Sequence, residues 1–254
     1  MTAAMVTGGI EHDGFVVIPQ ALSGAETHAL ETAVSGLTER VRATSRGGAR
    51  GLFQVVPEIR ALTSHPAVRA AAVAALDPNC FPVRALLFDK TQAANWKVAW
   101  HQDLTIAVRA RRDVDGYGPW SSKAGVPHVQ PPIPVLERMV AVRVHLDDCC
   151  DDNGPVRVLP GSHRAGLLRA AEIEAWRRRV AEVSCIVPRG GLLVMRPLLL
   201  HASSAAKSPV HRRVIHIECA ATELTGGLEW YEAVQSSLGA DVIIGGRVKS
   251  RRPD

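Results

Sequence analysis

From Pro82 onward the chain is a succession of short apolar runs broken by turn residues, and that pattern constrains the fold more than any other feature. The runs are Val83–Phe88, Val98–Val108, Met139–Leu146, Val156–Leu159, Cys185–Val187, Leu192–Met195, Leu198–His201 and Val214–Ala220. Gly, Pro, Asn and Asp lie between them, a spacing that predicts an all-β sandwich or barrel core. Asp152-Asn153-Gly154 predicts a tight hairpin, because Asn-Gly tolerates positive φ. Two interruptions are expected, a helix over 166–183 and a long ordered loop over 109–135 that is too rich in proline for a strand.

The first 80 residues read differently. A short strand over Gly14–Pro19 precedes Ser23, an N-cap with Glu26 three residues on, which together form a capping box. Helical spacing of apolar residues follows over Gly24–Val41 and again over Pro66–Leu76. No change of composition marks a domain boundary. The expectation is therefore one mainly-β, jelly-roll-like domain over 1–254: a mostly helical N-terminal layer over 1–80, a β core over 81–222, and a C-terminal extension over 223–254.

Charge and cysteine content narrow the function classes. The net charge is +5, but the basic residues gather in short, distant runs at Arg109–Arg112, Arg177–Arg179 and Arg247–Arg252, with only 4% aromatics. A nucleic-acid surface is a continuous basic stripe with interleaved aromatics, so no nucleic-acid partner is expected. No apolar run approaches the roughly 20 residues of a membrane span, and the N-terminus has no basic-then-apolar leader. A cytoplasmic protein with no membrane partner is the expectation. Five cysteines without a CxxC predict neither a disulfide framework nor a structural zinc site. The acidic group Asp147, Asp148, Asp151 and Asp152 reads as a solvated hairpin end.

The chemistry concentrates in Trp100-His101-Gln102-Asp103. On a strand, positions i and i+2 share a face, so His101 and Asp103 project together into the core. A carboxylate and an imidazole in an apolar interior are costly unless something binds both, and a divalent metal does so. His201, after Leu198-Leu199-Leu200, supplies a third ligand from another strand. Two imidazoles and a carboxylate on one face of a metal form the facial triad of non-haem iron(II) oxygenases, with open positions for a 2-oxo acid and dioxygen. A buried 2-oxo dianion needs a cationic clamp, best met by an arginine. Arg212 and Arg213 both follow His201; alternation sets Arg212 on one face with Val214 and His216, and Arg213 on the other. Ser203 shares the face of His201 and can bond the same carboxylate. His145, His163 and His216 are read as structural, and Trp96 and Trp100 as packing or pocket wall.

These residues together resemble the phytanoyl-CoA dioxygenase (PhyH-like) family of 2-oxoglutarate oxygenases. The resemblance runs nearly end to end, through Asp13-Gly14-Phe15-Val16-Val17, Trp100-His101-Gln102-Asp103, Asp152-Asn153-Gly154, Pro160-Gly161-Ser162-His163 and His201-Ala202-Ser203 to Arg212. It implies a double-stranded β-helix, iron(II) on His101, Asp103 and His201, and 2-oxoglutarate on Arg212 and Ser203. It also implies a polar contact to 2-oxoglutarate from the strand before the HxD motif, where Arg84 and Lys90 stand. The presence of Asp103 looks like a hydroxylase rather than a halogenase. The expected reaction oxidises an unactivated C–H of a small or lipid-like molecule with dioxygen, releasing succinate and carbon dioxide. The loop over 109–135 is the expected lid, with Trp120, His128 and Gln130 near substrate. A cupin-type metal enzyme or zinc hydrolase has no use for the clamp at Arg212, and a non-catalytic binding protein has none for the triad. Neither the substrate nor an oligomeric state is read from the sequence.

Overall fold

Alternation along each strand decides which face it shows to which layer. A computed structural model describes residues 2–35, 37, 48–92, 94–207 and 211–234. Its strands are β1 (Phe15–Ile18), β2 (Ala49–Arg50), β3 (Phe81–Lys90), β4 (Val98–His101), β5 (Ile106–Ala107), β6 (Trp120–Lys123) and β7 (Val126–Val129). They continue with β8 (Met139–His145), β9 (Val156–Val158), β10 (Val183–Cys185), β11 (Leu192–Met195), β12 (His201–Ser203) and β13 (Arg212–Ala220). Three antiparallel sheets result, in the orders β1-β11-β8-β13-β3-β2, β10-β9-β12-β4 and β5-β7-β6.

The six-stranded sheet has two different faces. Ala85 and Leu87 of β3, Val140, Val142 and Val144 of β8, and Ile215 and Ile217 of β13 join one apolar cluster with Ile10, Leu30, Ile59 and Val68 of the N-terminal helices. The alternate residues point the other way, toward the four-stranded sheet, where Leu193 and Met195 pack with Val156, Val158 and Leu199. A helix layer on one face and a second sheet on the other make a jelly-roll-like sandwich, as the strand pattern predicts.

The N-terminal layer contains helices Gly24–Ser35, Leu52–Val55, Pro57–Leu62 and Pro66–Ala75, and also Ala3–His12, which the sequence reading missed. The capping box at Ser23 forms: its amide donates to Glu26 Oε2 at 2.8 Å, and the Glu26 amide donates to Ser23 Oγ at 3.2 Å. The expected continuation of that helix toward Val41 lies outside the described residues, apart from Leu37, and so does the basic tail Arg247–Arg252. The helix expected over 166–183 spans Ala170–Arg179.

Three expectations need correction. Val98–Val108 is not one strand: β4 ends at His101 and β5 begins at Ile106. Asp152-Asn153-Gly154 does not close a hairpin, since β8 and β9 lie in different sheets. It forms a 3-10 turn over Asp151–Asn153 that ends on Gly154 at φ 71, carrying the chain from one sheet to the other. The 109–135 segment is not a plain loop, for it contains the β6–β7 hairpin. Its prolines conceal the hairpin from a sequence reading. Pro127 lies opposite Ser122, one pair in from the turn, where antiparallel pairing across a two-residue hairpin asks for no amide donor.

The hairpin turns on Ala124 and Gly125, both with positive φ (52 and 79), the geometry of a type I′ turn. Ala124 is the sole non-glycine residue at positive φ among the described residues. A left-handed conformation costs a residue with Cβ roughly 1–2 kcal/mol, and asparagine adopts it more readily. Ala124→Asn is therefore expected to stabilise the protein by about 1 kcal/mol, read as a raised urea midpoint at constant slope. An unchanged or lowered midpoint would show that this turn is unstrained.

Candidate functional site

A site built from residues of two separate strands needs the strand ends to meet, and hydrogen bonds around Gln102 bring them together. Gln102 sits between His101 and Asp103 and points away from both. Its Nε2 donates to the carbonyls of Leu198 and Gly166, both at 2.7 Å, and its Oε1 accepts from the Leu168 amide at 2.9 Å. The Asp103 amide donates to Pro197 O at 2.9 Å. On the other side, the Leu200 amide donates to the buried Ser162 Oγ at 2.8 Å. The segment after β4 is thus tied to the segment before β12, and His101 pairs with His201 across the sheet.

Both imidazoles are oriented the same way. His101 Nδ1 lies 2.9 Å from Ala99 O, and His201 Nδ1 lies 2.9 Å from Leu199 O. A carbonyl only accepts, so each Nδ1 carries the proton and each Nε2 presents a lone pair. Those lone pairs converge on Asp103: His101 Nε2 is 3.6 Å from Oδ1, and His201 Nε2 is 3.5 Å from Oδ2. One donor atom from each residue lies within 4.8 Å of the others. Burial pushes His201 down to about 4, whereas at His101 burial is outweighed by the Asp103 carboxylate and its pKa rises. Burial opposes ionisation of Asp103, yet the two imidazoles hold it well below the usual carboxylate range. One carboxylate and two imidazole nitrogens with their second nitrogens fixed by carbonyls fit a divalent metal.

This triad opens into a cavity of about 320 Å³ between the two main sheets. Its floor is the inner face of the six-stranded sheet, where register sets polar residues in rows: Arg212 opposite Lys90, His216 opposite Leu86 and Arg143, Glu218 opposite Arg84. Arg143 donates to His216 Nδ1 at 2.9 Å, which leaves the ring proton on Nε2, 3.5 Å from Glu218. Arg84 in turn lies 3.1 Å from Glu218. Phe88 meets His216 edge-on, and Trp96 and Val98 complete the wall.

Arg212 and Arg213 separate as alternation predicts. Arg213 pairs with Asp147 at 2.6 Å and Glu31 at 3.4 Å on the helix side. Arg212 is buried on the cavity side, donating to Gly154 O; its Nε has no hydrogen-bond partner, and among the described residues no carboxylate pairs with it. Lys90 Nζ donates to Ser204 O and lies 3.3 Å from Ser203 Oγ. Burial and the neighbouring Arg212 lower its pKa to about 7. Arg84 is elsewhere: it stands six residues from Lys90 on β3, about 20 Å along the strand, so the two cannot hold one small carboxylate.

Of Trp120, His128 and Gln130, none lies on the cavity wall; their hairpin contributes Lys123 instead. His128 is buried behind it, with Nδ1 3.0 Å from Val126 O. Trp96 lines the cavity and Trp100 does not. The sequence reading passed over Arg50, Lys123, Arg143 and Glu218 and took His216 as structural; all five are on the wall. Arg143 and Glu218 carried a legible signal, a charge on the inner face of an apolar strand, whereas Arg50 and Lys123 reach the cavity only through tertiary packing. His163 is structural, its Nε2 3.3 Å from Glu11 O. In the acidic group, Asp147 binds Arg213, Asp148 accepts the Arg189 amide and Asp152 binds Lys207.

Two substitutions test this arrangement. Asp103→Ala is expected to abolish retention of a divalent metal, read by cobalt(II) titration; wild-type affinity would remove Asp103 from the site. Gln102→Leu leaves two carbonyls and an amide unpaired, at about 1–3 kcal/mol for a buried group. It is expected to lower both the urea midpoint and cobalt(II) affinity, and a change in neither would refute the tether.

A family model described as phytanoyl-CoA dioxygenase (PhyH) matches residues 10–214. No curated protein matches the sequence. Among solved structures, the non-heme alpha ketoglutarate dependent carbocyclase SnoK from nogalamycin biosynthesis is 17% identical with a TM-score of 0.67, over 99% of this chain and 96% of that one. AviO1 from Streptomyces viridochromogenes Tue57 is 22% identical with a TM-score of 0.63, over 86% and 95%. EctD from S. alaskensis, solved with 2-oxoglutarate and 5-hydroxyectoine, is 18% identical with a TM-score of 0.67, over 87% and 76%. At these identities the likeness establishes the fold, a double-stranded β-helix.

Proposed function

The chain belongs to the phytanoyl-CoA dioxygenase family, an iron(II)- and 2-oxoglutarate-dependent oxidoreductase on a double-stranded β-helix, and from that premise we propose the roles of its residues and the reaction they serve. His101, Asp103 and His201 hold the iron. Arg212 and Ser203 hold the far carboxylate of 2-oxoglutarate, and Lys90 orients Ser203 from behind. Bound iron and 2-oxoglutarate supply the chemistry: dioxygen cleaves the 2-oxo acid to succinate and carbon dioxide, and a C–H of a small molecule is oxidised.

The observation that carries this reading is the buried, unpaired Nε of Arg212 on the wall of the triad's own cavity. A buried guanidinium without a carboxylate is costly, and a 2-oxo dianion relieves that cost. A cupin-type metal enzyme needs no such anion and leaves the guanidinium unexplained. The other residues prepare the space. Phe88, Val98 and Leu86 keep part of the wall dry, while Arg143 fixes the His216 ring so that its position beside Asp103 is constant. Arg84 is assigned to substrate rather than to 2-oxoglutarate, because it sits at the far end of the strand pair.

The test is an anaerobic titration of the iron(II)-loaded protein with 2-oxoglutarate, following the visible charge-transfer band of a chelated 2-oxo acid. A saturating band is expected. Arg212→Met is expected to weaken 2-oxoglutarate about tenfold to a hundredfold with metal affinity unchanged. Arg213→Met, on the opposite face, is expected to leave both affinities unchanged. Iron binding without a band would favour the cupin-type reading, and a reversed arginine pattern would remove Arg212 from the clamp.

A further inference from the structure

The cavity carries more positive charge than its cofactors use. Iron(II) and the 2-oxoglutarate dianion cancel one another, and Asp103 belongs to the metal. At the end of the floor away from Arg212, three cations remain: Arg50 of β2, Arg84 of β3 and Lys123 at the tip of the β6–β7 hairpin. Register places Arg50 opposite Leu86, so it neighbours Arg84 diagonally. Glu218 is the one carboxylate on the wall at this end, and it is already engaged by Arg84 and His216.

Arg50 and Lys123 are therefore left without a carboxylate at ion-pair distance among the described residues. Lys123 Nζ donates to the hydroxyl of Thr105 at 2.9 Å. Arg50 Nε is buried without a hydrogen-bond partner. Among the described residues neither forms an ion pair. Burial and then the neighbouring cations, Arg84 for Arg50 and both arginines for Lys123, lower the pKa of each, against an opposing pull from Glu218 and, at Lys123, from Asp103. A solvated surface cluster would not bury its guanidinium nitrogen. Two unpaired cations beside a third, in a cavity of about 320 Å³, fit a ligand that brings its own negative charge.

We propose that the substrate is an anionic small molecule whose carboxylate or phosphate is held by Arg50 and Lys123, with Arg84 behind them, at the pole of the cavity opposite Arg212. This rests on the oxygenase reading above and names its substrate class. Two poles for two anions separate the ligands: 2-oxoglutarate is too short to reach from Arg212 to Arg84, about 20 Å along the paired strands. The anionic group of the substrate anchors one end, and the rest of the molecule lies between that anchor and the triad. The strained Ala124-Gly125 turn directly follows Lys123 and aims the end of the hairpin at this pole.

The experiment is calorimetric titration of the anaerobic, manganese(II)-loaded protein, saturated with 2-oxoglutarate, with hexyl phosphate, hexanoate and hexanol. At least one of the two anions is expected to bind about tenfold or more tightly than hexanol, and which one is tighter distinguishes phosphate from carboxylate. Arg50→Met and Lys123→Met are each expected to weaken the anion about tenfold while 2-oxoglutarate affinity stays at the wild-type value. Arg50→Lys, which keeps the charge, is expected to recover part of the loss. Hexanol binding as tightly as the anions, or neither anion binding, would overturn the proposal. So would anion affinity that depends on Arg212 and not on Arg50, since the anions would then occupy the clamp. Failure of 2-oxoglutarate to bind the wild-type protein would count against the oxygenase reading instead; the same titrations without it would still decide whether Arg50 and Lys123 hold an anion.

Discussion

The structure depends on keeping a row of charged and polar side chains inside a closed two-sheet core. Strand β13 lies between β8 and β3 and turns Arg212, His216 and Glu218 inward. Burying such groups unpaired costs on the order of several kcal/mol each. Neighbouring strands answer for most of them. Arg143 of β8 bonds His216, and Arg84 of β3 pairs with Glu218, so a continuous chain of polar contacts crosses the floor. Register makes this possible, because a slip of one residue would turn the whole set toward the helices. The helices prevent that slip: Ile215 and Ile217, on the opposite face of the same strand, are locked into the apolar cluster beneath.

The second sheet is held over this floor by contacts among the short motifs that the sequence displays separately. The Gly161 amide donates to Asp13 O, and the Arg196 amide donates to Gly14 O. Gly14 is at positive φ with the ring of His163 against it, so a Cβ there would collide with that imidazole. Ser162, from the same turn, holds the Leu200 amide just before His201. Gln102 ties the other ligand segment to the same place. Motifs distant in sequence are thus one hydrogen-bonded unit around the triad, and His101, Asp103 and His201 inherit their spacing from it.

Charge then divides the cavity into two ends with the triad along its side. At one end buried Arg212 donates to the Gly154 carbonyl, with Lys90 opposite it on β3 and bonded to Ser203. At the other, Arg84 takes the one glutamate, and Arg50 and Lys123 pair with no carboxylate among the described residues. A barrel interior is long enough to keep these apart, so two anionic ligands can bind without competing. The division follows from the register of β3 and β13, in which Lys90–Arg212 and Arg84–Glu218 are opposite ends of one ladder.

Strand alternation is a local property, so the sequence by itself determined that His101, His201 and Ser203 turn inward, and Arg212 in preference to Arg213. The jelly-roll core was legible for the same reason, as was the capping box at Ser23. Tertiary structure alone decided what meets what. The turn at Asp152-Asn153-Gly154 has hairpin residues, yet the chain changes sheets there, because sheet membership is settled by packing rather than by turn chemistry. His101 and Asp103 converge although the strand stops between them, since Gln102 and Pro197 fix the backbone from outside. Proline hid the β6–β7 hairpin, and with it Lys123. Arg50 stands on a two-residue strand with no periodicity to read. Residues brought to a site by their own strand announce themselves through its period of two; those brought by the packing of other elements leave no local trace.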